Sequence, residues 1–284
     1  MYSPANKNKF QQRLRSESGY QTPAGRHLAA QYIPGWKNLS YYARLGMIFL
    51  TGSMVARTKG IDDDRWADFS LQNIRNAESV GGQLVISGLE GVARHRGALV
   101  YIANHMSLLE ALMLPCIALA FNRVTFVIKE ELLHYPIVGD IMKAVDLIAI
   151  SRHNPRHDLK MVFSKGQKAL EQGKSIIIFP QATRSAEFDV KAFNTLGVKL
   201  AARAGVPVVP IAIKTDFHGN GKWLKDVGPI DPRKTLYLKF GQPMTVEGNG
   251  KRVHQQVMEF IASNLIAWGG RVKGELPGPA TGQR

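Results

Sequence analysis

Hydrophobic positions change their spacing along this chain, and the changes mark its elements. From Trp36, the residues Tyr41, Tyr42, Leu45, Ile48 and Phe49 recur at helical intervals. Asp62, Asp63 and Asp64 then place negative charge at the start of a second helix, whose apolar positions are Trp66, Phe69, Ile74, Ala77 and Val80. Gly81 and Gly82 end it. From Gln83 onward, short apolar runs alternate with helical stripes. The runs at 84–87, 98–103, 124–128, 147–150, 175–179, 206–213 and 236–240 predict strands. Between them lie helices over 107–119, with Pro115 as a candidate kink, and from Asn154 (N-cap) and Pro155 (first helical residue) to Gly173. A stripe of Phe193, Leu196, Gly197, Leu200, Ala201 and Ala204 is capped by Gly205, and Val253, Val257, Phe260, Ile261 and Leu265 form a closing helix. This alternation predicts an α/β fold, with a mostly parallel central sheet flanked by helices.

The same pattern divides the chain. Residues 1–35 show little apolar periodicity and carry five Lys or Arg against one acid, which predicts a basic flexible arm. Residues 36–82 form two amphipathic helices, residues 83–268 the α/β domain, and the Gly/Pro-rich 269–284 a flexible tail. The net charge of +15 favours anionic partners: lipid headgroups, nucleic acid or phosphorylated small molecules. A single cysteine, Cys116, excludes an internal disulfide, and its apolar helical setting predicts inert packing. The N-terminus has no secretory signal pattern. The longest apolar window, 45–56, is broken by Gly46, Thr51, Gly52 and Ser53 and falls short of the roughly 20 residues a spanning helix needs. No glycine-rich dinucleotide fingerprint or phosphate loop appears.

Chemistry concentrates where predicted strands end. Asn104 and His105 follow the 98–103 run, and Glu110 lies five residues after the histidine. A carboxylate on one ring nitrogen would fix the tautomer and leave the other nitrogen to take a proton from a substrate hydroxyl. Ser107 to Glu110 also reads as a capping box, in which Glu110 serves the helix alone. After the 175–179 run, Thr183, Arg184 and Ser185 could grip a phosphate, and the alternative is a surface arginine in a turn. Arg152 and Lys129 sit at two further strand ends with the same two readings. His153 and His157 have an i, i+4 spacing. A Pro155 helix start leaves His153 outside the helix and no cysteine or carboxylate cluster completes a set, so no metal site is expected.

These residues carry a resemblance. The chain resembles the glycerolipid acyltransferases of the 1-acyl-glycerol-3-phosphate acyltransferase (lysophosphatidic acid acyltransferase) type, over about residues 83–245. That family carries Asn-His, four residues, then an acid, matched by Asn104, His105 and Glu110, with glutamate where aspartate is usual. Its second block is matched by Ile150, Ser151 and Arg152. Its third block is matched by Phe179, Pro180, Thr183, Arg184 and Ser185, with Gln181 and Ala182 in place of the usual acid and glycine. The Val206–Pro210 strand matches the fourth, and Phe193 and Gly197 sit where the family keeps those residue types.

The resemblance implies an O-acyltransferase in phospholipid biosynthesis, needing no cofactor or metal. His105 would be the base and Glu110 its orienting acid. Arg152, Thr183, Arg184, Ser185, Lys129 and Asn104 would bind substrate, and acyl-CoA or acyl-carrier protein would be the donor. It also gives residues 36–82 a role. Two amphipathic helices carrying Trp36, Tyr41, Tyr42 and Trp66 suit a membrane-associating segment, peripheral or monotopic, at the cytoplasmic face. Gln181 and Ala182 motivate a second reading with another acceptor, glycerol-3-phosphate or a lyso-aminolipid. A third, a non-catalytic basic protein on membrane or nucleic acid, conflicts with the absence of aromatics interleaved among the cations, so nucleic acid is not an expected partner.

Overall fold

The computed structural model describes residues 4–24, 36–151, 153–181, 183–221 and 226–276. In chain order its elements are α1 (Pro4–Glu17), β1 (Tyr20–Gln21), α2 (Trp36–Lys59), α3 (Asp63–Ser79), β2 (Leu84–Ser87), α4 (Glu90–Arg94), β3 (Val100–Ala103), α5 (Leu109–Ala118), β4 (Val124–Lys129), α6 (Val138–Ala144), β5 (Ile148–Ile150), α7 (Pro155–Glu171), β6 (Ser175–Ile178), β7 (Glu187–Asp189), α8 (Leu196–Ala204), β8 (Val208–Lys214), β9 (Leu236–Phe240), α9 (Lys251–Ala267) and β10 (Arg271–Lys273). A 3-10 turn, Glu130–His134, joins β4 to α6.

The main sheet runs β1-β2-β9-β8-β3-β6-β4-β5. Its centre, β8-β3-β6-β4-β5, is parallel throughout, with β9 antiparallel to β8. The C-terminal ends of five strands therefore share one edge, the edge where open α/β sheets place ligands. Both faces are covered, which is why β3, β6 and β8 read as unbroken apolar runs rather than alternating ones. On one face, α1, α2, α3 and α5 pack with Leu71, Ile74, Leu109 and Met113 in the core; on the other lie α7, α8 and α9 with Val162, Leu200, Val257 and Ile261. A Cβ on Gly197 would lie 2.7 Å from Ile102 Cδ1, so α8 reaches β3 only because that position has no side chain.

Local signals explain the helix ends. Asp62 caps α3 by accepting from the Arg65 N–H, and Asn154 caps α7 by accepting from the His157 N–H, with Pro155 first in the helix. Pro115 lies inside α5, where the ring displaces the regular ladder. Ser70 of α3 offsets this: its hydroxyl accepts from the Cys116 N–H at 2.8 Å and donates to the Met113 carbonyl at 3.0 Å. The Cys116 thiol is buried, and burial pushes its pKa up, as inert packing requires.

Three expectations are corrected. Residues 4–24 are not a flexible arm. Leu14 is fully buried, the Phe10 ring meets Tyr20 edge-on at 4.8 Å, Lys7 pairs with Asp64 at 2.8 Å, and β1 extends the sheet beside β2. Only three large apolar side chains are buried there, Phe10, Leu14 and Tyr20, too few to show as a period but enough to hold a helix against α3 and α5. Residues 25–35 lie outside the described residues. In the tail, residues 271–273 form β10, parallel to β7, and 277–284 lie outside the described residues. Among the aromatics expected at a membrane interface, Tyr41 is in the core and Trp66 packs on Phe126 with ring centroids 5.7 Å apart; Trp36 alone is exposed. No helix among the described residues is long and apolar enough to cross a membrane.

Candidate active site

The turn after β3 holds His105 above the sheet edge. Its Nδ1 lies 2.9 Å from Glu110 Oε1. Glu110 is fully buried in the first turn of α5 and accepts from every donor around it. The Met106 and Ser107 N–H groups donate to Oε1 at 2.5 and 2.7 Å, and the Ser107 and Thr215 hydroxyls donate to Oε2 at 2.8 and 2.6 Å. Burial alone would raise this carboxyl's pKa. The hydrogen bond and charge of His105, then the Thr215 and Ser107 bonds, reverse that and hold it below its ordinary value. Glu110 is thus ionised. The capping reading and the dyad reading are both satisfied: one oxygen closes the helix start and fixes the imidazole together. With Nδ1 committed to Glu110, Nε2 is the nitrogen left to accept a proton.

The loop after β6 clasps the same histidine. Gln181, buried, accepts from the His105 N–H through Oε1 at 2.8 Å, and the Ser185 N–H donates to the His105 carbonyl at 3.0 Å. The Phe179 ring stacks on the imidazole, centroids 4.3 Å apart and planes 19° off parallel. Both main-chain groups and one ring face of His105 are therefore fixed by the segment that carries the candidate phosphate cation. Arg184, from this loop, pairs through Nη1 with Asp226.

The remaining expected residues separate. Thr183 is exposed. The Ser185 hydroxyl accepts from the Glu187 N–H at 3.1 Å, shaping its own turn. Lys129 ends β4 and pairs with Glu131 at 2.9 Å. Arg152 and Ala182 lie outside the described residues, although the turn before Arg152 is set by Asp158, which accepts from both the N–H and the hydroxyl of Ser151 at 3.0 Å. Asn104 is corrected. Its buried side-chain amide donates to the Ile213 carbonyl at 2.7 Å and accepts from the Ile213 N–H at 2.8 Å, so it ties the turn to β8 rather than facing a substrate.

Two residues escaped the sequence reading. Thr215, just past β8, is fully buried and completes the Glu110 shell from 105 residues away. His218, in the loop that follows, is buried, with its pKa lowered by burial, and its Nε2 lies 2.9 Å from the Tyr42 hydroxyl of α2. Neither has a local signal; only the β3–β8 pairing brings them to the site. Among the described residues, no cluster of three or more His, Cys, Asp or Glu could hold a metal ion.

Comparison with known proteins finds chains of similar sequence and fold. Residues 83–214, the segment that carries both loops, match the acyltransferase family. A 1-acyl-sn-glycerol-3-phosphate acyltransferase of Pseudomonas aeruginosa is 29% identical over 187 residues, 66% of this chain and 68% of its own length. The chloroplastic 1-acyl-sn-glycerol-3-phosphate acyltransferase BAT2 of Brassica napus is 28% identical over 157 residues, 55% of this chain and 41% of its own. The crystal structure of the 1-acyl-sn-glycerophosphate acyltransferase PlsC from Thermotoga maritima shares the fold with a TM-score of 0.60 at 20% identity, covering 84% of this chain and 97% of that one. Residues 83–214 are thus similar to the acyltransferase family, and the segments on either side lie outside that match.

Proposed function

We propose that this protein transfers a fatty acyl group from a thioester donor, acyl-CoA or acyl-carrier protein, to the free hydroxyl of 1-acyl-glycerol-3-phosphate, giving phosphatidic acid. The observation that carries the reading is the His105–Glu110 pair, buried on its acid side and clasped by the loop that bears Arg184. His105 Nε2 removes the acceptor's hydroxyl proton as that oxygen attacks the thioester carbonyl carbon. The ester C–O bond forms, the C–S bond breaks, and the proton on Nε2 passes to the departing sulfur. Ionised Glu110 stabilises the imidazolium between those transfers. Arg184 takes the acceptor phosphate in exchange for Asp226, with Lys129 and Arg152 as further cations at neighbouring strand ends.

The placement of Gln181 removes one motive for glycerol-3-phosphate or a lyso-aminolipid as acceptor. Its side chain is buried against the His105 main chain, so the missing charge lies behind the base rather than in the acceptor's path.

The protein works at a membrane surface. Along α2, Leu39, Met47, Leu50 and Met54 are each more than half exposed, and with Trp36 they form one stripe on the outer side of the helix. Such a stripe suits burial at the headgroup–acyl boundary, where the lipid acceptor resides.

The test is acyl transfer in vesicles, with both donors and an acceptor panel. Turnover of 1-acyl-glycerol-3-phosphate that His105→Ala abolishes is expected. Preference for an acceptor without phosphate would overturn the acceptor, and full activity in His105→Ala would overturn the mechanism.

A further inference from the structure

The outer surface of α7 and α8 is strongly cationic. Arg156, Lys160, Lys165 and Lys168 of α7 and Lys199 and Arg203 of α8 are all exposed. The two helices hold two acids. Asp158 is buried and committed to Ser151, which leaves Glu171 as the one exposed carboxylate. Several cations elsewhere are paired with carboxylates. On the α1–α3 layer Lys7, Arg57, Arg65, Arg75 and Arg123 each hold an aspartate or glutamate within 2.9 Å. Arg156, Lys160, Lys165, Lys168 and Lys199 have no such partner among the described residues.

This surface is also shaped. A groove between the helices is lined by Lys160, Phe163, Gln167, Lys168 and Arg203, with Glu171 as its one carboxylate. Arg203 lies over the Phe163 ring, 5.4 Å from its centroid, and its Nε donates to Gln167 at 3.2 Å, so the cation is held in place at the groove wall. Leu159 and the partly exposed Phe163 add apolar contact among the charges.

Its position selects the kind of partner. The α7–α8 face covers the side of the sheet opposite α2, so a bilayer that receives the α2 stripe meets the other layer. The cationic face is left to the aqueous side. It begins at the sheet edge that carries the active site, because α7 follows the end of β5 after a short turn.

We infer that the α7–α8 face docks an acidic soluble protein, and that this partner is the protein-borne form of the acyl donor. The inference rests on the acyl-transfer reading for the donor's identity; the docking itself does not. Opposed charges would speed encounter and set orientation, leaving the groove to supply close contact.

The experiment uses the full chain in detergent and two probes, labelled acyl-carrier protein and vesicles of anionic lipid. Binding of the carrier is followed by fluorescence anisotropy, and turnover is followed with acyl-carrier protein and with acyl-CoA. Wild type is compared with Lys160→Glu/Lys165→Glu/Lys168→Glu. The milder Lys160→Ala/Lys165→Ala/Lys168→Ala guards against a folding defect. The expected result is carrier binding that weakens with added salt, weakens at least ten-fold in the reversed variant and less in the alanine variant. KM should rise with acyl-carrier protein as donor, with KM for acyl-CoA within two-fold of wild type.

Carrier binding that is absent in wild type, or equal in all three proteins, overturns the inference. So does an equal rise in KM for both donors, which would mean that the cations read the donor's phosphates. Loss of anionic-vesicle binding with carrier binding intact would reassign the face to headgroups. Acyl transfer with neither donor, alongside intact charge-dependent carrier binding, would instead sink the acyl-transfer reading and leave the docking face standing.

Discussion

The turn after β3 and the loop after β6 meet at His105, yet they are held in opposite ways. Glu110, in the first, has no exposed surface and takes five donors from two segments of chain. Arg184, in the second, is 20% exposed and answers to one carboxylate, Asp226, itself 47% exposed. The contrast matches the two chemical tasks of the proposed reaction. A base must have its proton site decided before the substrate arrives, and that needs a rigid, ionised partner kept from water. An anion-binding cation must exchange one partner for another, and that needs a surface pair with little net stabilisation of its own.

The largest expected effect comes from the rigid half. His105→Ala should lower kcat by about a thousand-fold, within the usual range for general acid–base catalysis. Retained activity would remove the base. Glu110→Gln comes next, with kcat down by roughly a hundred-fold, since the amide can keep the helix closed but cannot stabilise an imidazolium. This variant also carries a pH signature. Glu110 is held below its ordinary value of 4.5, so its ionised form adds stability that is present above that value. That stability is lost as pH falls through the lower folded value. Melting curves of wild type and Glu110→Gln should therefore differ at pH 7 and converge in strong acid; a gap independent of pH would mean that packing, not charge, is at stake.

Arg184→Ala addresses the exchangeable half and should act on the acceptor. Loss of a charged hydrogen bond of about 1.5–3 kcal/mol would raise its KM by roughly ten-fold or more, with a smaller change in kcat. A pure kcat effect would place Arg184 elsewhere in the reaction. Thr215→Val should be milder, removing one of five donors to Glu110. A kcat loss of roughly five-fold is expected, recovered by Thr215→Ser. Asp226→Asn should be smallest and opposite in sign, lowering acceptor KM a few-fold by weakening the competitor for Arg184. A raised KM would make Asp226 an orienting partner instead.

Legibility followed the range of the interaction. The strands over 84–87 and 236–240 were readable to the residue because their boundaries are local changes from polar to apolar. The α3 and α7 starts were readable because a capping side chain acts within three residues. The His105–Glu110 pair was readable for the same reason, since a tight turn of a few residues joins them. Residues 4–24 were not, because α1 is helical only against α3 and α5, and its burial of Lys7 depends on a carboxylate 57 residues away. The inward turn of Tyr41 and Trp66 also escaped. A helical stripe of aromatics looks alike whether lipid or protein covers it.

The sequence by itself determined the strand–helix alternation, the His105–Glu110 pair and the cation three strands along the chain, because each depends on residues near one another in sequence. Tertiary structure alone decided that β3, β6 and β8 lie side by side, so that Gln181 and Ser185 clasp His105, Thr215 completes the Glu110 shell, and Asn104 faces β8 rather than a substrate. Strand order is set by how two layers of helices share the burial of one sheet, and that is a property of the whole chain rather than of any stretch of it.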